Sequence, residues 1–212
     1  MTKTWGPLGW ATLHSVAAIY PDNPTDSEMN LITRWIESFR MCIVCEKCKQ
    51  HFTTLLSEYK SMYPDWNASR KNLSLFVLRA HNTVNIRQVS KPVLSVDEAL
   101  AQLRMHLPED KAAIMRQSYI VHIRAEWSRN LSMEGVTAAK YIRELILAET
   151  EYWGKRGFSW NDIESLVRTE SIGPLPSREK PKFSMGVQPP RQPAPRTITG
   201  PSSRPRFSFL SR

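Results

Sequence analysis

Between Cys42 and Phe52 the chain reads Cys-Ile-Val-Cys-Glu-Lys-Cys-Lys-Gln-His-Phe, so all three of its cysteines and one of its five histidines lie within eleven residues. Cysteines kept only for packing would be scattered through apolar stretches; cysteines three apart bind a metal, hold a cluster or close a short disulfide. The spacing C-x2-C-x2-C-x2-H over Cys42, Cys45, Cys48 and His51 supplies four soft ligands and resembles the opening of a bacterial cluster loop. Against a metal, there is no further Cys-Pro, and structural zinc sites usually draw ligands from two separated pairs. A continuous helix would also spread residues 42 to 51 over about 13 Å, too far to converge on one ion. The redox reading needs Cys45-Glu46-Lys47-Cys48 to open a helix. The Cys45 sulfur then faces unpaired N–H groups at the positive helix end, which stabilises a thiolate. Cys42 and Cys45 also make a CxxC, so spacing alone does not choose the pair, although the helix after Cys48 favours the later one.

A disulfide passes electrons only to an acceptor, and two further stretches have the character of a cofactor site. His81-Asn82-Thr83-Val84-Asn85 places His81 and Asn85 on one helical face with Asn82 beside them, shortly before Arg87 and Lys91. Trp10 and His14 stand one turn apart on another helix, an aromatic pair suited to stacking on a planar ring. Taken singly, the His–Asn set is more often exposed or satisfied core polar groups, and the Trp10–His14 stripe is also core.

These residues need helices to position them, and the start signals are clear. Pro7 suits the first turn of a helix to about Ile19, with Trp10, Leu13, His14 and Ala17 on one face, ended by Pro21 and Pro24. Thr25 with Glu28 forms a capping box before a helix to about Met41, striped by Leu31, Ile32, Trp35, Ile36 and Phe39. A third helix begins at the cysteines and runs through Phe52, Leu55, Leu56 and Tyr59. A fourth spans Leu73 to Val89. Ser95 with Glu98 boxes a fifth to about His106. Further helices are expected over Glu109 to Trp127 and Glu134 to Trp153, with a short one from Ser159 that uses Asp162 as its box partner. No run alternates with period 2, so the fold class is all-α.

At 212 residues with 41% hydrophobic and 23% charged residues, the averages are those of a globular chain. No apolar run is long enough to cross a membrane, and the first residues have no secretory h-region. The net charge of +9 is concentrated at the end. Residues 171–212 hold eight basic residues against Glu179, a net +7, and nine of the fifteen prolines. This stretch is expected to be disordered or extended, with weak nucleic-acid contact as one use and a merely solvated tail as the other.

In order, Trp5-Gly6-Pro7-Leu8-Gly9-Trp10-Ala11-Thr12-Leu13-His14-Ser15, Tyr20-Pro21, Pro24-Thr25, Cys45-x-x-Cys48 with His51-Phe52, His81-Asn82-x-Val84-Asn85 and Lys91-Pro92 resemble the Erv/ALR family of FAD-linked sulfhydryl oxidases. The likeness covers about residues 1 to 100. It implies a four-helix bundle with a short fifth helix that holds FAD non-covalently, over residues 1–106. Residues 107–170 would be an additional helical region and 171–212 the basic tail. Cys45 is implied as the outer thiol that exchanges with client dithiols and Cys48 as the inner thiol facing the flavin. Gly6, Trp10, His14, His51, His81, Asn82, Val84, Asn85 and Lys91 fall on positions that line FAD, with no metal. Electrons would leave for O2, giving H2O2, with protein thiols and a thioredoxin-like relay protein as partners and a homodimer as the default assembly.

The chain departs from cellular members in having no cysteine after Pro92, hence neither their C-terminal structural disulfide nor a remote shuttle pair. In this it looks like the forms encoded by large DNA viruses, which implies action in the host cytoplasm and in the virion. The competing class is a non-enzymatic protein, metal- or cluster-bound, with a nucleic-acid-binding tail. Flavin content separates the two.

Overall fold

The computed structural model describes residues 2–87 and 91–176; Gln88–Ser90 and residues 177–212 lie outside it, and with them the end of the expected fourth helix and most of the expected tail. The described residues form eight α-helices: α1 (Thr2–Ile19), α2 (Asp26–Met41), α3 (Glu46–Met62), α4 (Arg70–Asn85), α5 (Val96–His106), α6 (Ala112–Ser128), α7 (Met133–Glu151) and α8 (Trp160–Val167). Single 3-10 turns at Glu109–Lys111 and Trp153–Lys155 lead into α6 and out of α7. Among the described residues there is no strand, in keeping with the all-α reading.

Local chemistry accounts for most helix starts. At α2 the Glu28 N–H donates to Thr25 Oγ1 at 3.3 Å while Glu28 Oε2 accepts the Thr25 N–H at 2.9 Å, a complete capping box. Ser95 and Glu98 repeat it at α5, at 3.3 and 2.8 Å. The box expected at α8 does not form: Ser159 Oγ accepts from the Asn161 N–H, and Glu109 Oε1, from a distant turn, takes the Trp160 N–H at 2.6 Å. Pro7 lies inside α1, past its first turn. Its ring removes the N–H that would otherwise bond the Lys3 carbonyl, beyond the four N–H groups a helix start leaves unpaired. Helix α4 begins three residues before the apolar run because Ser69 Oγ caps the Asn72 N–H at 3.1 Å, and it ends at Asn85, short of Val89.

Helices α1 to α5 carry the residues singled out above, and α6 to α8 pack on them. Helix α6 lies along α1, α7 along α2, and α8 against α4 and α5. The junction is aromatic. Phe39 of α2, 2% exposed, sits 5.1 Å from the Tyr119 ring of α6 and 5.7 Å from Phe52 of α3. A β-carbon on Gly9 of α1 would lie 3.4 Å from it. Four helices thus meet on one ring.

Between α6 and α7, Arg116 donates from Nε and Nη2 to the two Glu149 carboxylate oxygens at 2.8 and 3.0 Å, and again from Nη2 to the Trp153 carbonyl. Both side chains are buried, and the bidentate geometry offsets the desolvation of the charges. Arg116→Met leaves the Glu149 carboxylate buried without its partner and is expected to destabilise the fold by about 3–5 kcal/mol in urea melts. Arg116→Met with Glu149→Leu should recover most of that loss.

Candidate active site

Cys45 is the N-cap of α3, and its sulfur accepts the Cys48 backbone N–H at 3.3 Å. Cys45 and Cys48 are joined as a disulfide with Cα atoms 5.2 Å apart. The chain closes here because the N-cap residue is extended while Cys48 already lies in the first turn, which brings residues i and i+3 face to face. Once the bond is reduced, the same N–H and the positive end of α3 favour the Cys45 thiolate. Both residues are half-buried, and Cys48 packs against the main apolar core through which Phe52, Leu55 and Leu56 seat α3.

The third cysteine is set apart. Cys42 closes α2 and is fully buried, with its sulfur 4.0 Å from the Ala138 carbonyl of α7. Its own carbonyl accepts from Trp127 Nε1 of α6 at 2.9 Å. Burial pushes its thiol up to about 12, so it carries essentially no thiolate at neutral pH. Tyr119 and Trp127 make this cover, and nothing in the local sequence announced either, because their partner lies more than 75 residues away.

The two predicted aromatic–imidazole sets come together. The Trp10 and His81 rings stack at 4.2 Å with planes 5° apart, and His14 Nε2 is hydrogen-bonded to His81 Nδ1 at 3.0 Å. Burial, then the neighbouring His81, holds His14 well below the usual imidazole value; burial, then the Lys91 ammonium, lowers His81 to about 4. Asn85, one turn after His81, is buried with Nδ2 on the Pro92 carbonyl at 3.3 Å and Oδ1 without a partner. Thr12 Oγ1, Ser74 Oγ and Trp5 Nε1 are likewise buried and unpaired. The neutral rings, the unpaired Asn85 Oδ1 and Ser74 Oγ, and the Lys91 ammonium are groups that suit a planar heteroaromatic ligand bearing hydrogen-bonding edges and phosphate, whereas Trp5 and Thr12 lie on the other face of α1, toward Phe39 and Tyr119.

The remaining predicted residues are placed differently. Asn82 is spent on the fold: Nδ2 donates to the Leu94 and Ile172 carbonyls at 2.8 and 2.7 Å, and Oδ1 accepts the Leu94 N–H at 3.0 Å. Val84 is half-buried against the core. Gly6 lies on α1 with open space where a β-carbon would be. His51 is exposed on α3 and shares none of the Trp10, His14 and His81 contacts. The segment Ser171–Pro176, expected to belong to the tail, is instead held on α4. Arg79 Nε donates to the Ser171 carbonyl at 3.0 Å, and the Leu175 N–H donates to Thr83 Oγ1 at 2.9 Å.

Fold and site define an all-helical protein that presents a CxxC disulfide at a helix start, with a histidine–tryptophan–asparagine cluster on the same bundle. The Erv1/Alr family model matches residues 8–104. A protein of invertebrate iridescent virus 3 designated an FAD-linked sulfhydryl oxidase is 32% identical over 111 residues, covering 52% of this chain and 73% of the relative. One of Acanthamoeba polyphaga mimivirus with the same designation is 30% identical over 109 residues, covering 51% and 75%. The mitochondrial FAD-linked sulfhydryl oxidase of Saccharomyces cerevisiae is 32% identical over 87 residues, covering 41% and 43%. No solved structure matched. The chain belongs to the Erv1/Alr family.

His14 and His81 are neutral in the folded chain, and protonating them opposes folding. The stability they contribute is complete above the unfolded-state value of 6.5 and is lost as pH falls below it, for His81 toward about 4. Urea melts at pH 5 are expected to give a stability on the order of 1–2 kcal/mol per histidine below that at pH 7.5, and His14→Asn/His81→Asn should flatten the dependence.

Proposed function

We propose that this chain is an FAD-dependent sulfhydryl oxidase that converts protein dithiols to disulfides. The observation that carries the reading is the Cys45–Cys48 disulfide at the N-terminus of α3, in a chain of the Erv1/Alr family. A client thiolate attacks Cys45 Sγ, forming a mixed disulfide as the Cys45–Cys48 bond breaks and Cys48 leaves as a thiolate in the first turn of α3. A second client thiolate then attacks the mixed disulfide. The client departs oxidised, and Cys45 is released as a thiolate facing the Cys48 N–H. Two electrons now reside on the cysteine pair.

Trp10, His14, His81, Asn85 and Lys91 are the residues that would hold FAD, through ring contact, hydrogen bonding and charge. Gly6, His51, Asn82 and Val84 belong to the wider proposed set, with Asn82 acting through the backbone it ties. Bound there, FAD would supply a two-electron acceptor for the cysteine pair, with O2 as the final acceptor and H2O2 as the product. Cys48 is the inner thiol in this scheme, consistent with its packing on the core, and Cys45 the outer one.

The partners include thiol proteins, a thioredoxin-like relay protein and a second copy of the chain. Residues 177–212 are assigned weak nucleic-acid contact. Resemblance to viral relatives supports action in the host cytoplasm and the virion, and among the described residues no helix is long and apolar enough to cross a membrane. The metal-bound alternative requires four ligands to converge, whereas Cys42 is enclosed beneath α7, His51 is exposed and Cys45 is tied to Cys48.

Purified protein is expected to show the two-band visible spectrum of a flavin and to consume oxygen with dithiothreitol. Cys45→Ser and Cys48→Ser should each reduce turnover to background while retaining flavin, whereas Cys42→Ser retains turnover. His81→Ala with Asn85→Leu should lose flavin. Colourless protein with no flavin released on denaturation defeats the reading.

A further inference from the structure

The added helices do more than cover Cys42, because their turn lies at the working end of the molecule. Helices α2 and α7 run antiparallel. Glu28, in the first turn of α2, meets Tyr152 and Arg156 just beyond the end of α7, and Cys42 at the other end of α2 meets Ala138 near the start of α7. Helix α6 ends at the same place, with Trp127 bonded to the Cys42 carbonyl and its ring 5.2 Å from Lys49 Nζ in the first turn of α3. The turn between α6 and α7 therefore sits at the end of the bundle where the disulfide caps α3. From the level of Ala138, α7 extends back by about 7.5 Å to Met133, while the chain needs three residues to pass from Cys42 to Cys45.

This turn displays apolar side chains. Leu131 is 95% exposed, Met133 77% and Val136 63%. Single exposed apolar residues need no explanation, but three within six residues at the reactive end form a patch. The turn is also well fixed. The Asn130 N–H bonds to the Trp127 carbonyl at 3.0 Å, Asn130 Oδ1 accepts the Ser132 N–H at 3.0 Å, and Ser132 Oγ accepts the Glu134 N–H at 3.2 Å. A β-carbon on the buried Gly135 would fall onto the Asn130 carbonyl, so close packing against a bare Cα holds the loop. Of the nearby charges, Glu46 pairs with Lys49 at 3.2 Å and Glu126 with Arg129 at 2.9 Å, while Glu134, next to Met133, and Lys47, between Cys45 and Cys48, are exposed.

Attack on Cys45 fixes where a client must lie. A mixed disulfide holds the client cysteine Cα within about 6 Å of the Cys45 Cα, and each flanking residue of an extended client advances about 3.3 Å across the adjoining surface. We infer that Leu131, Met133 and Val136 of the α6–α7 turn form a docking lip for the apolar residues that flank a reactive cysteine in an extended client segment. The lip lies outside residues 8–104 matched by the family model, so it is a client-binding element built from this chain's added helices. It rests on the oxidase reading: the client thiolate forms a bond to Cys45 Sγ as the Cys45–Cys48 bond breaks, and Cys48 carries away the electron pair.

The test uses the full flavin-loaded chain with Leu131→Ser/Met133→Ser, compared by oxygen uptake on dithiothreitol and on reduced, unfolded ribonuclease A. Both positions are exposed, so the melting curve should be unchanged. The expected result is a KM for ribonuclease A raised by about tenfold with kcat/KM for dithiothreitol within about twofold of the parent, and recovery in Leu131→Met/Met133→Leu. An unchanged KM for ribonuclease A, or an equal loss on both substrates, overturns the lip while leaving the oxidase reading intact. A parent chain that forms a dimer broken by the double substitution overturns it in favour of a second copy. A parent chain inert toward dithiothreitol overturns the oxidase reading and the lip with it.

Discussion

The structure depends on how Phe39 is enclosed. An aromatic side chain at the end of α2, one turn from Cys42, is covered by α1 at Gly9, α3 at Phe52 and α6 at Tyr119. Burying a ring of this size is among the larger single contributions a core residue makes, and close packing leaves no freedom for one helix to shift without the others. The ring therefore fixes α3 against α2, and with it the three-residue link from Cys42 to Cys45 that sets the disulfide at the start of α3. It also fixes α6, whose Trp127 reaches the Cys42 carbonyl. The placement of the Cys45–Cys48 disulfide and the burial of Cys42 have a common origin.

That origin explains why three cysteines within seven positions behave differently. Cys45 stands where N–H groups are unpaired, Cys48 lies one turn inside the helix against the core, and Cys42 is enclosed by apolar and aromatic groups that raise its pKa. A thiol of that kind is a poor nucleophile toward the neighbouring disulfide, so the pair does not exchange with its own neighbour.

Features set by neighbours in sequence were legible beforehand. The boxes at Thr25 and Ser95, the N-cap position of Cys45, and the shared face of His81 and Asn85 all follow from spacing and side-chain chemistry. Features set by distant partners were not. Asn82 reads in sequence as a ligand-facing amide, yet Leu94 and Ile172 consume its hydrogen-bonding groups. At α8 Ser159 Oγ takes the Asn161 N–H and no box with Asp162 forms, while Glu109 caps the Trp160 N–H from some fifty residues away. Ser171–Pro176 has the composition of a tail but is bound through its backbone, which composition does not encode. The stacking of Trp10 on His81 lies between these cases, since each member was picked out on its own helix and their contact came from the packing of α1 on α4.

The hydrogen bond between His14 and His81 has one more consequence. Two neutral imidazoles joined nitrogen to nitrogen have a single hydrogen on the bridge, so one ring donates and the other accepts, and their tautomers are set jointly. The outward-facing nitrogens are then of opposite character: the bridge donor presents a lone pair on its other nitrogen and the bridge acceptor an N–H. The pair thus offers a polarised, directional edge from two identical side chains, and its sense reverses if the bridging hydrogen moves to the opposite tautomeric arrangement.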